Sequence, residues 1–448
     1  MRLARTPLLL VLVAAAFLAA GEPAKAAPHD PGFGRQWALP LIGAEVAWGT
    51  GTGKGITIAV VDSGFYFEHE DFASGKVLPG RNFVEEGTPP RDDVGHGTHV
   101  AGIAAASTDN GLGMAGVAPD ARILPVRVLE YDEASGSGTG TSDDVIAGIR
   151  WAVDNGAHIV NLSLGSDLQG ILGPSFVSAV RYAWDHGVIC VVAAGNSFVT
   201  GSGFRNESAL VVSATDRSDR KPTYSSSVGE AKWGLAAPGG EGAEPNGVFS
   251  TYWTPDTGPG TYAYASGTSM AAPHVAGAAA ILRGLGLTPQ QTVDRLLSTA
   301  KDIGAAGPDS TFGHGRLDVA KAVSGLQPAG GTTTVTGTGT TTGGGSSATT
   351  AARRGTTTST GARSGGNQTG GAPGAAGSPS TTATTAGPDP SLRIVPAGPE
   401  ATPGPGDAAA GGQRGRTTSD DELPLVPPLL ASGLLVAVSA GIVRVRRA

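Results

Sequence analysis

Gly267-Thr268-Ser269-Met270-Ala271-Ala272-Pro273-His274 decides the reading of this chain. A serine stands between a glycine turn and an alanine-rich run, the place where a helix begins. A bare serine hydroxyl is a weak nucleophile. It needs a general base within hydrogen-bond reach and a third group to orient that base. Two upstream stretches supply these groups, Val60-Val61-Asp62-Ser63-Gly64 and Gly95-His96-Gly97-Thr98-His99-Val100-Ala101-Gly102. Asp62, His96 and Ser269 are therefore candidate catalytic residues. Asn196, in Val192-Ala193-Ala194-Gly195-Asn196, is the candidate side-chain donor to a developing oxyanion, beside the backbone N–H of Ser269. His99, one helical turn after His96, and His274, in the apolar run after the serine, read as helix-packing residues.

The surrounding pattern predicts where these groups lie. Ile56 to Val61, Ile123 to Leu129, His158 to Leu162, Val188 to Ala193 and Leu210 to Ala214 are short, apolar, β-branched runs, the pattern of strands buried on both faces. Between them, Ser142 to Asn155 carries Val145, Ile146, Ile149 and Val153 at helical spacing. Thr288-Pro289-Gln290-Gln291 predicts a capping box with proline in the first turn. The alternation predicts an α/β fold with a mostly parallel sheet flanked by helices. Asp62, Ser163 and Asn196 each follow a strand run, where open α/β sheets place their ligands. The single cysteine, Cys190, lies in an apolar strand run. It excludes an intrachain disulfide and reads as an inert core thiol.

The chain order Asp, His, Ser and the three motifs that carry it resemble subtilisin-like serine peptidases over residues 30 to 325, and within them the thermitase-like branch. The resemblance implies a subtilisin-like three-layer fold and a serine-type endopeptidase acting on polypeptides as a monomeric catalytic domain. It further implies that Ser163-Leu164-Gly165 and Gly136-Ser137-Gly138 offer backbone groups to an extended substrate, which adds as a strand. It also implies a calcium site, with side chains from Asp30, Asp71 and Asn110 and carbonyls from Ser107, Leu112 and Met114, the oxygen donors that calcium prefers.

Composition sets the domain plan. Residues 1–26 predict a signal peptide: Arg2 and Arg5 precede an apolar run from Leu8 to Ala20, and Ala24-Lys25-Ala26 offers a small-x-small cleavage site. Few residues then remain before Gln36-Trp37, too few for the folding pro-domain that subtilisins usually carry. After the peptidase-like domain, 27–325, residues 326–422 are dominated by Gly, Thr, Ala, Ser and Pro and bury too little apolar surface to offset ordering entropy. As a flexible coil this linker spans roughly 50 to 60 Å. Leu423 to Val443 is uncharged and long enough to cross a bilayer, and Arg444, Arg446 and Arg447 follow in a short tail, 444–448. Positive charge stays cytoplasmic, so the expectation is a single-pass membrane protein with its catalytic domain outside the cell. Signal, peptidase, Pro-rich linker and C-terminal span together resemble mycosins, the anchored subtilases of secretion systems. A net charge of −7 without a long basic run in the globular part argues against nucleic acid as a partner. The competing class is a surface scaffold or secretion component that uses the fold for binding, which has no need of Asp62, His96, Asn196 and Ser269 together.

Overall fold

The structure is a computed structural model. It describes residues 28–133, 137–164, 174–196, 204–255, 257, 260–328, 393–396, 436–439 and 442–445. These belong to one compact unit; a second unit, Gly330–Ser380, lies outside the described residues, as do the expected signal peptide and most of the linker.

The apolar runs pair as expected, with ends shifted by a residue or two. They are β1 (Thr57–Asp62), β3 (Arg122–Arg127), β6 (Ile159–Leu162), β7 (Ile189–Ala193) and β8 (Ala209–Thr215). With β2 (Arg81–Asn82) and β9 (Trp233–Pro238) they make a seven-stranded sheet in the order β2-β3-β1-β6-β7-β8-β9, parallel throughout. The period of two along each strand sorts side chains into two cores. Ile58, Val60, Ile159, Val191 and Val212 face one side, with Val100, Ala104, Val275 and Ala279. Ala59, Val61, Val160, Val192 and Val211 face the other, with Val145, Ile149, Phe176 and Val180. The result is three layers.

The helices are α1 (Ala38–Ile42), α2 (Ala44–Ala47), α3 (His96–Ala105), α4 (Ser142–Asp154), α5 (Pro174–Asp185), α6 (Thr268–Gly284), α7 (Pro289–Thr299) and α8 (Val319–Val323). Thr141 caps α4 by accepting from Asp144 N–H, and Asp143 and Asp144 sit in its first turn, where the helix dipole favours negative charge. The capping box at α7 is present: Gln291 N–H donates to Thr288 Oγ1, and Thr288 N–H to Gln291 Oε1. Such a cap stabilises a helix by about 1 kcal/mol.

Three features escaped the sequence pattern. Strand β9, Trp-Gly-Leu-Ala-Ala-Pro, lacks β-branched residues and exists because it pairs with β8 along its whole length. Strands β10 (Val248–Tyr252) and β11 (Thr261–Ala265) form an antiparallel pair that Arg393–Pro396 extends as β12. A small antiparallel ladder joins β4 (Glu130–Asp132) to β5 (Ser137–Thr139). Of the expected span Leu423–Val443, the described parts lie in an antiparallel ladder of Val436–Ser439 with Ile442–Val445. No helix among the described residues is long and apolar enough to cross a membrane.

The sheet order reverses between β1 and β6: the chain builds β3 on one side of β1, then crosses to β6 on the other. A crevice opens at the carboxyl ends of strands at such a switch point. Asp62 ends β1, Ser163 follows β6, and Asn196 lies three residues past β7.

Candidate active site

His96 is the first residue of α3. The residue before it, Gly95, has φ 89°, and a Cβ there would lie 2.4 Å from Tyr252 Cε2, so both backbone and space require glycine. The helix thus starts against β10, and the imidazole meets the end of β1. Its Nδ1 is 2.7 Å from Asp62 Oδ1, which also accepts from Ser63 N–H at 2.7 Å. The two side chains are 4% and 0% exposed. Because a carboxylate oxygen only accepts, Nδ1 carries the proton and Nε2 is left as an acceptor. That Nε2 is buried without a hydrogen-bond partner among the described residues. Burial disfavours the imidazolium, but the charge and hydrogen bond of Asp62, with Asp92 adding, outweigh it and raise the His96 pKa above the usual histidine value.

Ser269 is the second residue of α6, whose residues Thr268 to Leu282 are all buried. Its Oγ–H donates to the Ser163 carbonyl at 3.1 Å, while Ser163 Oγ–H donates to the Ser269 carbonyl at 2.8 Å. Pro273 explains the second bond. Four residues on, it has no N–H to give the Ser269 carbonyl, so the partner comes from the end of β6 instead. The clasp fixes the start of α6 over the switch-point crevice.

Asn196 Oδ1 accepts from both Thr268 N–H, at 3.0 Å, and Thr268 Oγ1–H, at 2.9 Å. Thr268 Oγ1 in turn accepts from Gly195 N–H at 3.1 Å. With Oδ1 occupied, Nδ2 is left to face away from Thr268. A Cβ placed on Gly267 would lie 3.4 Å from Asn196 Nδ2 and 3.6 Å from Ser269 N. Two N–H donors, one at a helix N-terminus, thus border the same small space beside the serine, as an oxyanion-binding site requires. Thr268 escaped the sequence reading, although a hydroxyl residue directly before the serine was visible.

The other assignments separate cleanly. His99 is buried, its Nε2 is 3.2 Å from the Ala263 carbonyl, and burial drives its pKa down to about 3. His274 donates from Nδ1 to Met270 O, and burial lowers it to about 4. Both are neutral packing groups. Burial pushes the Cys190 thiol up to about 12, that of an inert core side chain. Ser163 and Leu164 border the crevice at the end of β6, and Ser137 and Gly138 lie in β5 opposite β4. Gly165 and Gly136 lie outside the described residues.

The expected metal loop is drawn together from three parts of the chain. Asp30 accepts from the N–H groups of Asp109, Asn110 and Gly111 at 2.8, 3.0 and 3.2 Å. Asp71 accepts from Met114 N–H at 2.8 Å and Asn110 Nδ2 at 2.9 Å, and its backbone carbonyl accepts from Ser107 N–H. Leu112 N–H donates to Asn110 Oδ1. Burial, with the nearby Asp30 charge adding, pushes Asp71 up to about 7 against those hydrogen bonds. Two buried carboxylates amid amide and carbonyl groups suit a hard, oxygen-seeking cation. No group of three or more His, Cys, Asp or Glu among the described residues is placed to hold a metal, so any ion here would depend on amide and backbone oxygens. Asn110 would have to turn its Oδ1, instead of its Nδ2, toward Asp71.

Comparison with known proteins places the chain among relatives of one family. Residues 53–315 match the Subtilase family. Thermitase of Thermoactinomyces vulgaris is 42% identical over 300 residues, which cover 66% of this chain and 99% of that protein. A thermophilic serine proteinase of Bacillus sp. strain AK1 is 39% identical, covering 66% of this chain and 69% of the other. Among solved structures, a protease of Pseudoalteromonas arctica superposes with a TM-score of 0.58 at 32% identity, covering 66% of this chain and 99% of its own. MycP1 with its N-terminal propeptide removed does so with a TM-score of 0.53 at 26% identity, covering 66% and 99%.

Proposed function

This chain belongs to the subtilase family and is a serine-type endopeptidase, and we propose that it acts outside the cell from a membrane anchor, with Ser269, His96, Asp62 and Asn196 as its catalytic residues. In this reading Ser269 Oγ leaves the Ser163 carbonyl and attacks the scissile carbonyl carbon of a bound polypeptide. His96 Nε2 takes its proton and later delivers it to the leaving amine. Asp62 holds the tautomer and stabilises the imidazolium. Asn196 Nδ2 and Ser269 N–H receive the oxyanion, and losing one such donor costs about 3 to 4 kcal/mol of transition-state stabilisation. Substrate backbone pairs with Ser163 to Gly165 on one side and Gly136 to Gly138 on the other.

The observation that carries the reading is the orphaned, buried Nε2 of His96, whose other nitrogen is fixed on Asp62. A serine-directed phosphonate should label the domain at Ser269, leave Ser269→Ala unlabelled, and block casein cleavage. A folded wild-type domain that neither labels nor cleaves would overturn it. The anchor rests on the apolar Leu423–Val443 and the arginines after it. Protease treatment of intact cells should release the domain by cutting the linker, whereas full-length mature protein in the culture medium would refute an anchor.

Calcium belongs to the same proposal. Asp30, Asp71 and Asn110, with carbonyls of Ser107, Leu112 and Met114, would hold it. Bound there, it would neutralise two buried carboxylates and tie the N-terminal segment to the loop after α3.

A further inference from the structure

Asp92 lies four residues before His96 and is 1% exposed. A buried carboxylate ordinarily has a cationic partner, yet none of the ion pairs between described side chains includes it. Five donors surround it instead. Oδ1 accepts from Ser63 Oγ–H at 2.9 Å, Val94 N–H at 3.0 Å and Gly95 N–H at 2.8 Å. Oδ2 accepts from Thr98 N–H at 2.9 Å and Thr98 Oγ1–H at 2.6 Å. Donors on every side make this the environment of a carboxylate ion.

The placement of those donors gives the cluster its meaning. Gly95 cannot cap α3 with a side chain, so the orphan N–H groups of the first turn go elsewhere. Thr98 N–H goes to Asp92, and Gly97 N–H goes to Ser63 Oγ at 2.9 Å. Ser63 is the residue after Asp62, and its own N–H is bound to Asp62 Oδ1. One chain of hydrogen bonds therefore runs from Asp62 through Ser63 to Asp92 and the amides on either side of His96. It ties the strand end that carries the acid to the helix start that carries the base.

We propose that Asp92 is a positioning residue for His96: it locks the first turn of α3 against the end of β1 and sets a second buried negative charge beside the imidazole. The inference rests on the peptidase reading only for the consequence in turnover; the geometry stands without it. Asp92 adds to the raised His96 pKa, after Asp62. Among the other titratable neighbours, Asp93, beside Asp92, is paired with Arg127 of β3 at 2.7 Å, and the next three carry no charge near neutrality. His99, on the same helix, and His274, from α6, are neutral there. Tyr252, on β10, is held far above the usual phenol range by burial and then by Asp92.

The test is an NMR titration of the His96 ring in the Ser269→Ala protein, which needs no turnover and cannot digest itself. Adding Asp92→Asn should lower the His96 midpoint by about half a unit or more, the loss of one nearby charge. Adding Thr98→Val instead removes one hydrogen bond to Asp92 but keeps its charge, and should lower the melting temperature while leaving the midpoint in place. Equal midpoints in Asp92→Asn and its parent, or equal shifts in both variants, would overturn the proposal in favour of a plain helix cap. Should Asp92→Asn fail to fold, Ser63→Ala in the active enzyme carries the test: kcat should fall about tenfold with KM unchanged, and Ser63→Thr should restore it. Unchanged kcat in Ser63→Ala would overturn the positioning chain. An inactive wild-type enzyme would instead sink the peptidase reading and leave the His96 titration as the measure of this one.

Discussion

Ser163 and Ser269, 106 residues apart, hold each other by two hydrogen bonds of opposite direction, each hydroxyl on the other's carbonyl. The bond to the Ser269 carbonyl exists because Pro273 withholds the N–H that an ordinary helix would supply. In the Ser269→Ala domain, Ser163→Ala should therefore destabilise by about 1 to 3 kcal/mol, the cost of a buried acceptor left unpaired. The same change should cost clearly less when Pro273 is also alanine, because the new N–H reaches the orphaned carbonyl. Thermal unfolding of the four proteins checks this, and additive effects would show that the proline is not what the clasp compensates.

Gly267 is extended, with φ 161°, so its backbone does not demand glycine. Space does. A methyl there would occupy the room bordered by Asn196 Nδ2 and Ser269 N–H at ordinary van der Waals distances. Gly267→Ala should fold normally and keep KM, yet lose about a hundredfold or more in kcat, as when an oxyanion donor is removed. Wild-type turnover in this variant would mean that the oxyanion binds elsewhere.

Activity should fall on acidification through a midpoint above the ordinary histidine value of 6.5, because the His96 pKa is raised and the base must be neutral to accept the serine proton. The sign is definite: activity is present above that midpoint and lost below it. His99→Ala should leave the limb where it is, since His99 is already neutral there. A pH profile of kcat/KM checks both statements, and a limb that moves with His99→Ala would reverse the assignment of the base.

Chelation should lower the melting temperature of the Ser269→Ala domain at neutral pH. A ligand bound only by the folded state adds about 2.7 kcal/mol at a hundredfold excess over Kd. Asp71→Asn should blunt the response, since that side chain is buried beside Asp30 at the centre of the loop. Identical unfolding curves with calcium and with chelator would leave the Asp30 and Asp71 loop as a hydrogen-bonded turn.

Much of this was legible in the linear chain. Runs such as Ile58 to Val61 and Ile189 to Val192 are apolar at every position, short and rich in β-branched residues, the pattern of a strand buried on both faces. Motifs in the order Asp62, His96, Ser269 named the chemistry, because each residue type has one role that the other two require. Local pattern could not announce β9, whose glycine and alanines form a strand only because β8 lies alongside. Nor could it orient Asn196, whose amide is turned by Thr268, 72 residues away. It gave Asp92 no distinction from Asp93 beside it. Tertiary structure alone buried one of them among five donors, while the other pairs with Arg127 and is half-buried. Sequence determined which groups are present and on which elements they sit, since periodicity and residue chemistry are local. Direction of hydrogen bonds, loss of solvent and the company of charges depend on residues far apart in the chain, and only packing decides them.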